Sequence, residues 1–249
     1  MKSKEVPMTL DEYLNLAQPF GYKVEYWDGK AVYTPRECHI NTRLTLTPQA
    51  VATPYCLQKV DAANKTEIID AFFAVFKDSV EFCNWEESDL AEFAETRIND
   101  YFKGQRGTPH TASVLALSPD NGELAGLLLI CDAKSGINLD LLFVRPKHQR
   151  QKLATNMLIF ASNQLHAAGI KELTSSYHIC NEASQQWHQA MGFIDSYDDY
   201  YLRLKYAHLR NEVIRREKLA LMDGMAELVA ERDDWLARLS DHDSFIERN

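Results

Sequence analysis

INLDLLFVRPKHQRQKLATNMLIF, from Ile137 to Phe160, decides how this chain folds. An apolar run ends at Val144, Pro146 stops it, a short basic turn follows, and a helical pattern opens near Leu153. Strand, loop and helix in that order place unpaired backbone N–H groups at a helix N-terminus, where an anion, most often phosphate, is stabilised. Arg145, Lys147, Arg150 and Lys152 put four positive charges into the same turn. The same residues also fit a plain strand-to-helix connection with solvated basic side chains, so this stretch alone leaves both readings open.

Working outward, a second strand-like run, KELTSSYHI, covers Lys171 to Ile179, and NEASQQWHQAMGF follows from Asn181 to Phe193. Upstream, NGELAGLLLICD (Asn121 to Asp132) has the pattern of a hairpin strand and contains Gly126. The three blocks together resemble the GNAT superfamily of acetyl-CoA-dependent N-acetyltransferases. In that family a strand ends in Val-x-Pro, a Gln/Arg-x-x-Gly-x-Gly/Ala turn holds the pyrophosphate of CoA, and a later Asn-x-x-Ser/Ala helix ends in Gly-Phe. Val144, Pro146, Gln149 and Ala154 match the first motif, and Asn181, Ser184, Gly192 and Phe193 the second. Lys152 departs from the family glycine. If a positive φ is required there, a non-glycine residue costs about 1–2 kcal/mol.

Composition bounds the alternatives. The chain has 249 residues, ordinary apolar and charged fractions and a net charge of −9, which argues against general nucleic-acid binding and is compatible with a cationic acceptor. No apolar run is long enough to span a bilayer, and the N-terminus MKSKEVPMTLDEYL lacks the apolar core of a signal peptide. The five cysteines (Cys38, Cys56, Cys83, Cys131, Cys180) are scattered without a CxxC pair. They are read as thiols of a reducing compartment, with cytoplasm as the expected location and no metal site expected.

The expected fold is α/β: a GNAT-like, mixed but mostly antiparallel central sheet flanked by helices, a small β-rich N-terminal segment (1–60), an acetyltransferase domain (61–208) and a C-terminal amphipathic helix (209–249). Thr9 or Asp11 should start a short helix broken at Pro19, and Asp28-Gly29 should turn a hairpin. His39 to Pro48 reads as another strand. Helical spacing marks Lys65 to Phe82 and Glu87 to Lys103; strands are expected over Ala112 to Pro119, Glu123 to Asp132 and Ile137 to Val144. Alternating Tyr200, Leu202, Leu204 and Tyr206 suggest a last strand. In the tail, Ile214, Leu221, Leu228 and Trp235 recur every seven residues, an amphipathic helix interrupted or bent near Gly224 that packs on its own subunit or forms a homodimer.

The resemblance implies a division of labour. Backbone amides of Gln149, Arg150, Gln151, Lys152, Leu153, Ala154 and Thr155 would cradle the pyrophosphate of acetyl-CoA. Leu142, Phe143 and Val144 would bond the pantetheine arm along the strand edge, where an N–H can polarise the thioester carbonyl; donors of this kind are worth about a hundredfold or more in rate. Asn181, with Ser184 in the same helix, would contact the arm, although Asn181 also suits a plain helix cap. Asp140 falls where many family members place an acidic group facing the acceptor. It is read either as the base, working through water, or as the partner of a neighbouring Lys or Arg. His188 stands at the family's tyrosine position and is read as the acid that protonates the departing thiolate, against an exposed helix histidine. The implied reaction is acetyl transfer to a primary amine of a small molecule or protein by direct attack in a ternary complex. The competing reading is a catalytically inactive acyl-CoA sensor or interaction scaffold.

Overall fold

The computed structural model describes residues 4–246. In chain order these form β1 (Lys4–Pro7), α1 (Leu10–Leu14), β2 (Tyr22–Trp27), β3 (Lys30–Pro35), β4 (His39–Thr45), β5 (Cys56–Lys59), α2 (Lys65–Phe76), α3 (Glu87–Phe102), β6 (Thr108–Pro109), β7 (Val114–Leu117), β8 (Leu124–Ala133), β9 (Gly136–Val144), α4 (Leu153–Ala167), β10 (Glu172–His178), α5 (Glu182–Ala190), β11 (Ile194–Ser196), α6 (Asp199–Lys218) and α7 (Met225–Ile246). They divide into two compact units, one built from 41–177 and 183–195, the other from 4–40, 178–182 and 196–246.

The first unit is a mixed α/β layer around a sheet of order β11-β4-β10-β9-β8-β7-β5, with β6 added on β8. Neighbours from β5 to β9 run antiparallel, and β9 and β10 run parallel. Strand β8 lies inside the sheet between β9 and β7, and its run Leu127 to Cys131 is apolar at every position because both of its faces are covered. Alternate side chains feed two cores. Leu128 and Ile130 meet Leu153, Met157, Ala161 and Leu165 of α4, whereas Leu127, Leu129 and Cys131 meet Ile68 and Phe72 of α2 and Leu90, Ala94 and Ile98 of α3. Gly126 is needed for the α4 side: a Cβ there would lie 2.9 Å from Met157 Cε and 3.1 Å from the Phe143 carbonyl oxygen. Of the first sixty residues, β4 and β5 are strands of this sheet, so that segment does not stand apart as a whole.

In the second unit β1, β3 and β2 form a small sheet. Asp28 and Gly29 both have positive φ, 46° and 72°, as a two-residue hairpin turn requires. Helix α1 opens with a capping box, the Thr9 hydroxyl accepting from the Glu12 N–H while the Glu12 carboxylate accepts from the Thr9 N–H. One sequence expectation is corrected here. Residues 199–218 are helix α6, not a strand: the Asp198 carboxylate accepts from the Tyr201 N–H at 2.8 Å and caps the helix. Burial of Tyr201, Leu202, Leu209 and Val213 follows a helical face, while Tyr200 is exposed. The tail is two helices, α6 and α7, interrupted near Gly224 as expected, by a turn in which Ala220 and Gly224 have positive φ. Its seven-residue repeat is not a buried seam, since Trp235 is buried among Tyr197 and Tyr201 but Ile214 and Leu221 are exposed.

Candidate functional site

After Val144 the chain makes one 3₁₀ turn over Pro146–His148 and then alternates hand. Arg150 has φ 62° and Lys152 has φ 58°, with Gln151 between them outside the left-handed region. Alternation of this kind turns successive N–H groups toward one concave side, a nest for an anion. Lys152 caps α4 without a side-chain bond to the helix, and among the described residues none of the backbone amides from Arg150 to Thr155 donates to another residue. Leu153, Ala154 and Thr155 are the first helical positions, where the helix dipole also favours negative charge. Lys152 does occupy the left-handed region that the family glycine would reach without strain.

Residues distant in sequence brace this turn. The buried Asn156 donates its Nδ2 to the Lys152 carbonyl at 3.0 Å and accepts from the Ala52 N–H at 2.9 Å. The Gln149 amide donates to the Val144 carbonyl at 3.1 Å, so its side chain ties the loop back to β9. Tyr55 donates to Gln151 Oε1 at 2.6 Å and lies 3.0 Å from His148 Nδ1. The phenol's one proton being on Gln151, His148 Nδ1 is the donor of the second bond, and its Nε2 is a buried acceptor with no partner among the described residues. Burial, reinforced by Lys147, holds His148 below the ordinary histidine range; burial pushes the Tyr55 phenol up. Of the basic turn, Lys147 pairs with Glu123. Tyr55, His148 and Asn156 carried no sequence signal, because they act only through partners far along the chain.

Strands β9 and β10 pair at Asn138 and Thr174, where the Thr174 hydroxyl also donates to the Ile137 carbonyl at 3.0 Å. No register pair follows that one, whereas the opposite edge of β9 stays paired to β8 as far as Val144. The β10-facing edge of Leu142, Phe143 and Val144 is therefore left without a strand partner among the described residues, and an extended polar chain can add there. The Phe143 side chain is not part of that edge, since it packs in the core against Phe76. Register slips within β9: Leu141 faces Leu129 and Leu139 faces Ile130, leaving Asp140 as the extra residue of a β-bulge.

Asp140 is paired, as one of its two sequence readings required. Its carboxylate is 4 % exposed and gripped by Arg106, Nε lying 2.9 Å from each oxygen and Nη2 2.7 Å from Oδ1. Arg97 Nη2 donates to the Asp140 carbonyl at 2.7 Å and reaches Oδ1 at 3.4 Å. The bond to Asp140 raises the Arg106 pKa; burial lowers that of Arg97, with Asp140 opposing. Both carboxylate oxygens are thus occupied by guanidinium donors. Neither arginine was marked as functional from the sequence.

His188 is buried, not an exposed helix residue. Its Nδ1 lies 2.8 Å from the Ser184 carbonyl and 3.4 Å from the Ser184 hydroxyl, and its Nε2 lies 3.0 Å from Ser175 Oγ. A carbonyl only accepts, so Nδ1 carries the proton and Nε2 accepts from Ser175. Burial lowers the His188 pKa, against the Ser184 bond and Asp195. The ring is thus a neutral imidazole with both nitrogens engaged, packed among Tyr177, Trp187 and Phe193, and is poorly placed to donate a proton. Ser184 supports that ring through its carbonyl. Asn181 precedes α5 and donates its N–H to the His178 carbonyl at 2.9 Å. Two further carboxylates flank this helix: Asp195 accepts from Tyr177 at 3.0 Å, and Glu182 is exposed. Among the described residues no cluster of His, Cys, Asp and Glu is arranged to hold a metal ion, and no helix is long and apolar enough to cross a membrane.

A family model described as acetyltransferase (GNAT) family matches residues 75–193. Among solved structures, a GCN5-related N-acetyltransferase from Sphaerobacter thermophilus is similar at 15 % identity and TM-score 0.47, over 64 % of this chain and 48 % of that one. The chain thus spans about half the length of that relative. The ribosomal-protein-S18-alanine N-acetyltransferase from Escherichia coli is similar at 15 % identity and TM-score 0.43, over 57 % of this chain and 79 % of that one. An acetyltransferase of the GNAT family from Staphylococcus aureus Mu50 is similar at 15 % identity and TM-score 0.45, over 56 % and 84 %. Comparison with the curated proteins gives no match.

Proposed function

We propose that this chain, whose residues 75–193 belong to the GNAT acetyltransferase family, transfers the acetyl group of acetyl-CoA to a primary amine by direct attack in a ternary complex. The observation that carries the proposal is the run of uncommitted amides from Arg150 to Thr155 at a turn of alternating hand, beside the unpartnered β9 edge. Acetyl-CoA supplies the activated acyl group. The residues of this chain bind and orient it: the amides of 150–155 hold the pyrophosphate, Lys152 and Arg150 add positive charge, and the backbone of Leu142 to Val144 aligns the arm and offers a donor to the thioester oxygen. Asn181 remains the proposed side-chain contact to the arm.

In this reading Asp140 takes the paired role, one of its two expectations, and His188 a role other than acid. Asp140, bound by Arg97 and Arg106, is not the proton acceptor, so the amine must reach its neutral form without that carboxylate. Turnover should then rise with pH toward the amine's own ionisation, near 10 for an alkyl amine. His188 stays neutral and structural; a thiolate leaves readily without an acid. The same commitments favour one other reading, acyl-CoA binding without turnover. Both are tested by incubating the protein with acetyl-CoA and a panel of polyamines, amino acids, aminoglycosides and peptides while following thiol release. Release with any amine supports transfer; tight CoA binding with no release on any of them supports the sensor; no CoA binding overturns both.

A further inference from the structure

We infer that Arg97 and Arg106 are positioning residues for acyl transfer, acting through Asp140 to hold the bulge that precedes the open edge of β9. The inference rests on the acetyltransferase reading above. Asp140 is the residue that the ladder between β8 and β9 skips. A bulged residue loses its regular partner, and a buried carbonyl left without a donor is costly. Arg97 of α3 supplies the donor, 2.7 Å from the Asp140 carbonyl. Arg106 fixes the side chain of the same residue through both carboxylate oxygens. One arginine therefore fastens the backbone of the bulge and the other its side chain.

The turn that carries Arg106 is itself fastened to β8. Cys131 Sγ donates to the Arg106 carbonyl at 3.1 Å. Gly107, with φ 113°, lies so close that a Cβ would be 2.7 Å from the Asp132 carbonyl oxygen. Helix α3, this turn and β8 thus converge on one residue of β9. Two residues beyond it begins the Leu142 to Val144 edge proposed to align the pantetheine arm. Sliding the register by one residue would exchange the faces and the exposed backbone groups of that edge, so loosening the clamp should misplace the donor for the thioester before it unfolds the sheet.

The test compares Arg106→Gln, Asp140→Asn and the double variant, with acetyl-CoA affinity measured by calorimetry, kcat and KM by thiol release, and hydrogen exchange of the β9 amides without ligand. Arg106→Gln leaves the Asp140 carboxylate with Arg97 alone, and Asp140→Asn leaves both guanidinium groups without their counter-charge, whereas the double variant replaces the Arg106–Asp140 pair by two amides that can bond each other while Arg97 keeps the Asp140 carbonyl. Expected are a loss of tenfold or more in acetyl-CoA affinity and faster exchange at 139–144 in each single variant, with most of both effects recovered in the double. Single variants that fail to fold beside a double variant that folds and binds support the clamp equally. Single variants with wild-type affinity and exchange overturn it, and so does a double variant no better than the worse single. Loss of turnover in Asp140→Asn and in the double variant, with affinity and exchange unchanged, would instead return Asp140 to the role of base. Wild-type protein that binds no acetyl-CoA overturns the acetyltransferase reading alone, and the exchange measurement then still decides whether Arg106 holds the bulge.

Discussion

Asn156 holds the carbonyl of Lys152 twice: its backbone N–H and its side-chain Nδ2 each donate to that oxygen at 3.0 Å. The Asn156 Oδ1 accepts from the Ala52 N–H, so one buried side chain locks the left-handed residue to the segment before β5. Asn156→Ala removes both side-chain bonds and should lower stability by about 1–2 kcal/mol. Urea unfolding reads this, and CoA affinity should fall in the same variant because the cradle loses its brace.

Lys152 sits at φ 58° and ψ 19°. Lys152→Gly relieves the left-handed strain of about 1–2 kcal/mol but gives back about 0.4–1 kcal/mol through the freer unfolded chain. The melting temperature should therefore rise. CoA affinity should nevertheless fall about fivefold at low salt, by about 1 kcal/mol, as an exposed cation is lost from the cradle. Raising the salt concentration should close that gap.

His188 is held neutral by burial, below the ordinary value of 6.5. Between its folded pKa and 6.5 the unfolded chain binds more protons, so this contribution to stability is complete above pH 6.5 and declines as the pH drops below it. His148 and His208, also lowered by burial, act in the same direction. Unfolding midpoints at pH 7.5 and 5.5 should differ, and His188→Gln should narrow the difference. The same variant should keep acetyl transfer within about tenfold, where removal of a general acid would cost about a hundredfold or more.

Glu212 of α6 is gripped by Arg215, with bonds of 2.6 and 2.7 Å, and by Arg216 at 2.9 Å. These bonds, Arg215 first, hold its pKa down from 4.5 to about 2. The group stabilises the fold fully above about pH 4.5, and that contribution is lost as the pH falls toward 2. Acid unfolding should therefore begin at higher pH in Arg215→Gln, while Glu212→Gln should be less stable at neutral pH and flatter between pH 4.5 and 2. Circular dichroism at 222 nm across that range measures both.

Where an element is decided by a few neighbouring residues, the chain could be read directly. Val144 and Pro146 end a strand, Leu153 opens a helix, and Asp28-Gly29 turns a hairpin; the structure has each of them in that place. Residues 199–218 mislead because Tyr200, Leu202, Leu204 and Tyr206 alternate like a strand, while the Asp198 cap and the burial of Tyr201, Leu202, Leu209 and Val213 make a helix. Alternation over four positions does not reveal which side chains will find a core.

The sequence by itself determined the order of strand, turn and helix across Ile137 to Phe160, because backbone conformation there depends on contacts a few residues apart. Only the tertiary structure decided what surrounds Asp140 and His188. Arg97 and Arg106 stand 43 and 34 residues from Asp140 along the chain, and Ser175 stands 13 from His188. Whether a carboxylate is a base or an anchor depends on which charges packing brings within about 3 Å of it, and no local pattern carries that distance.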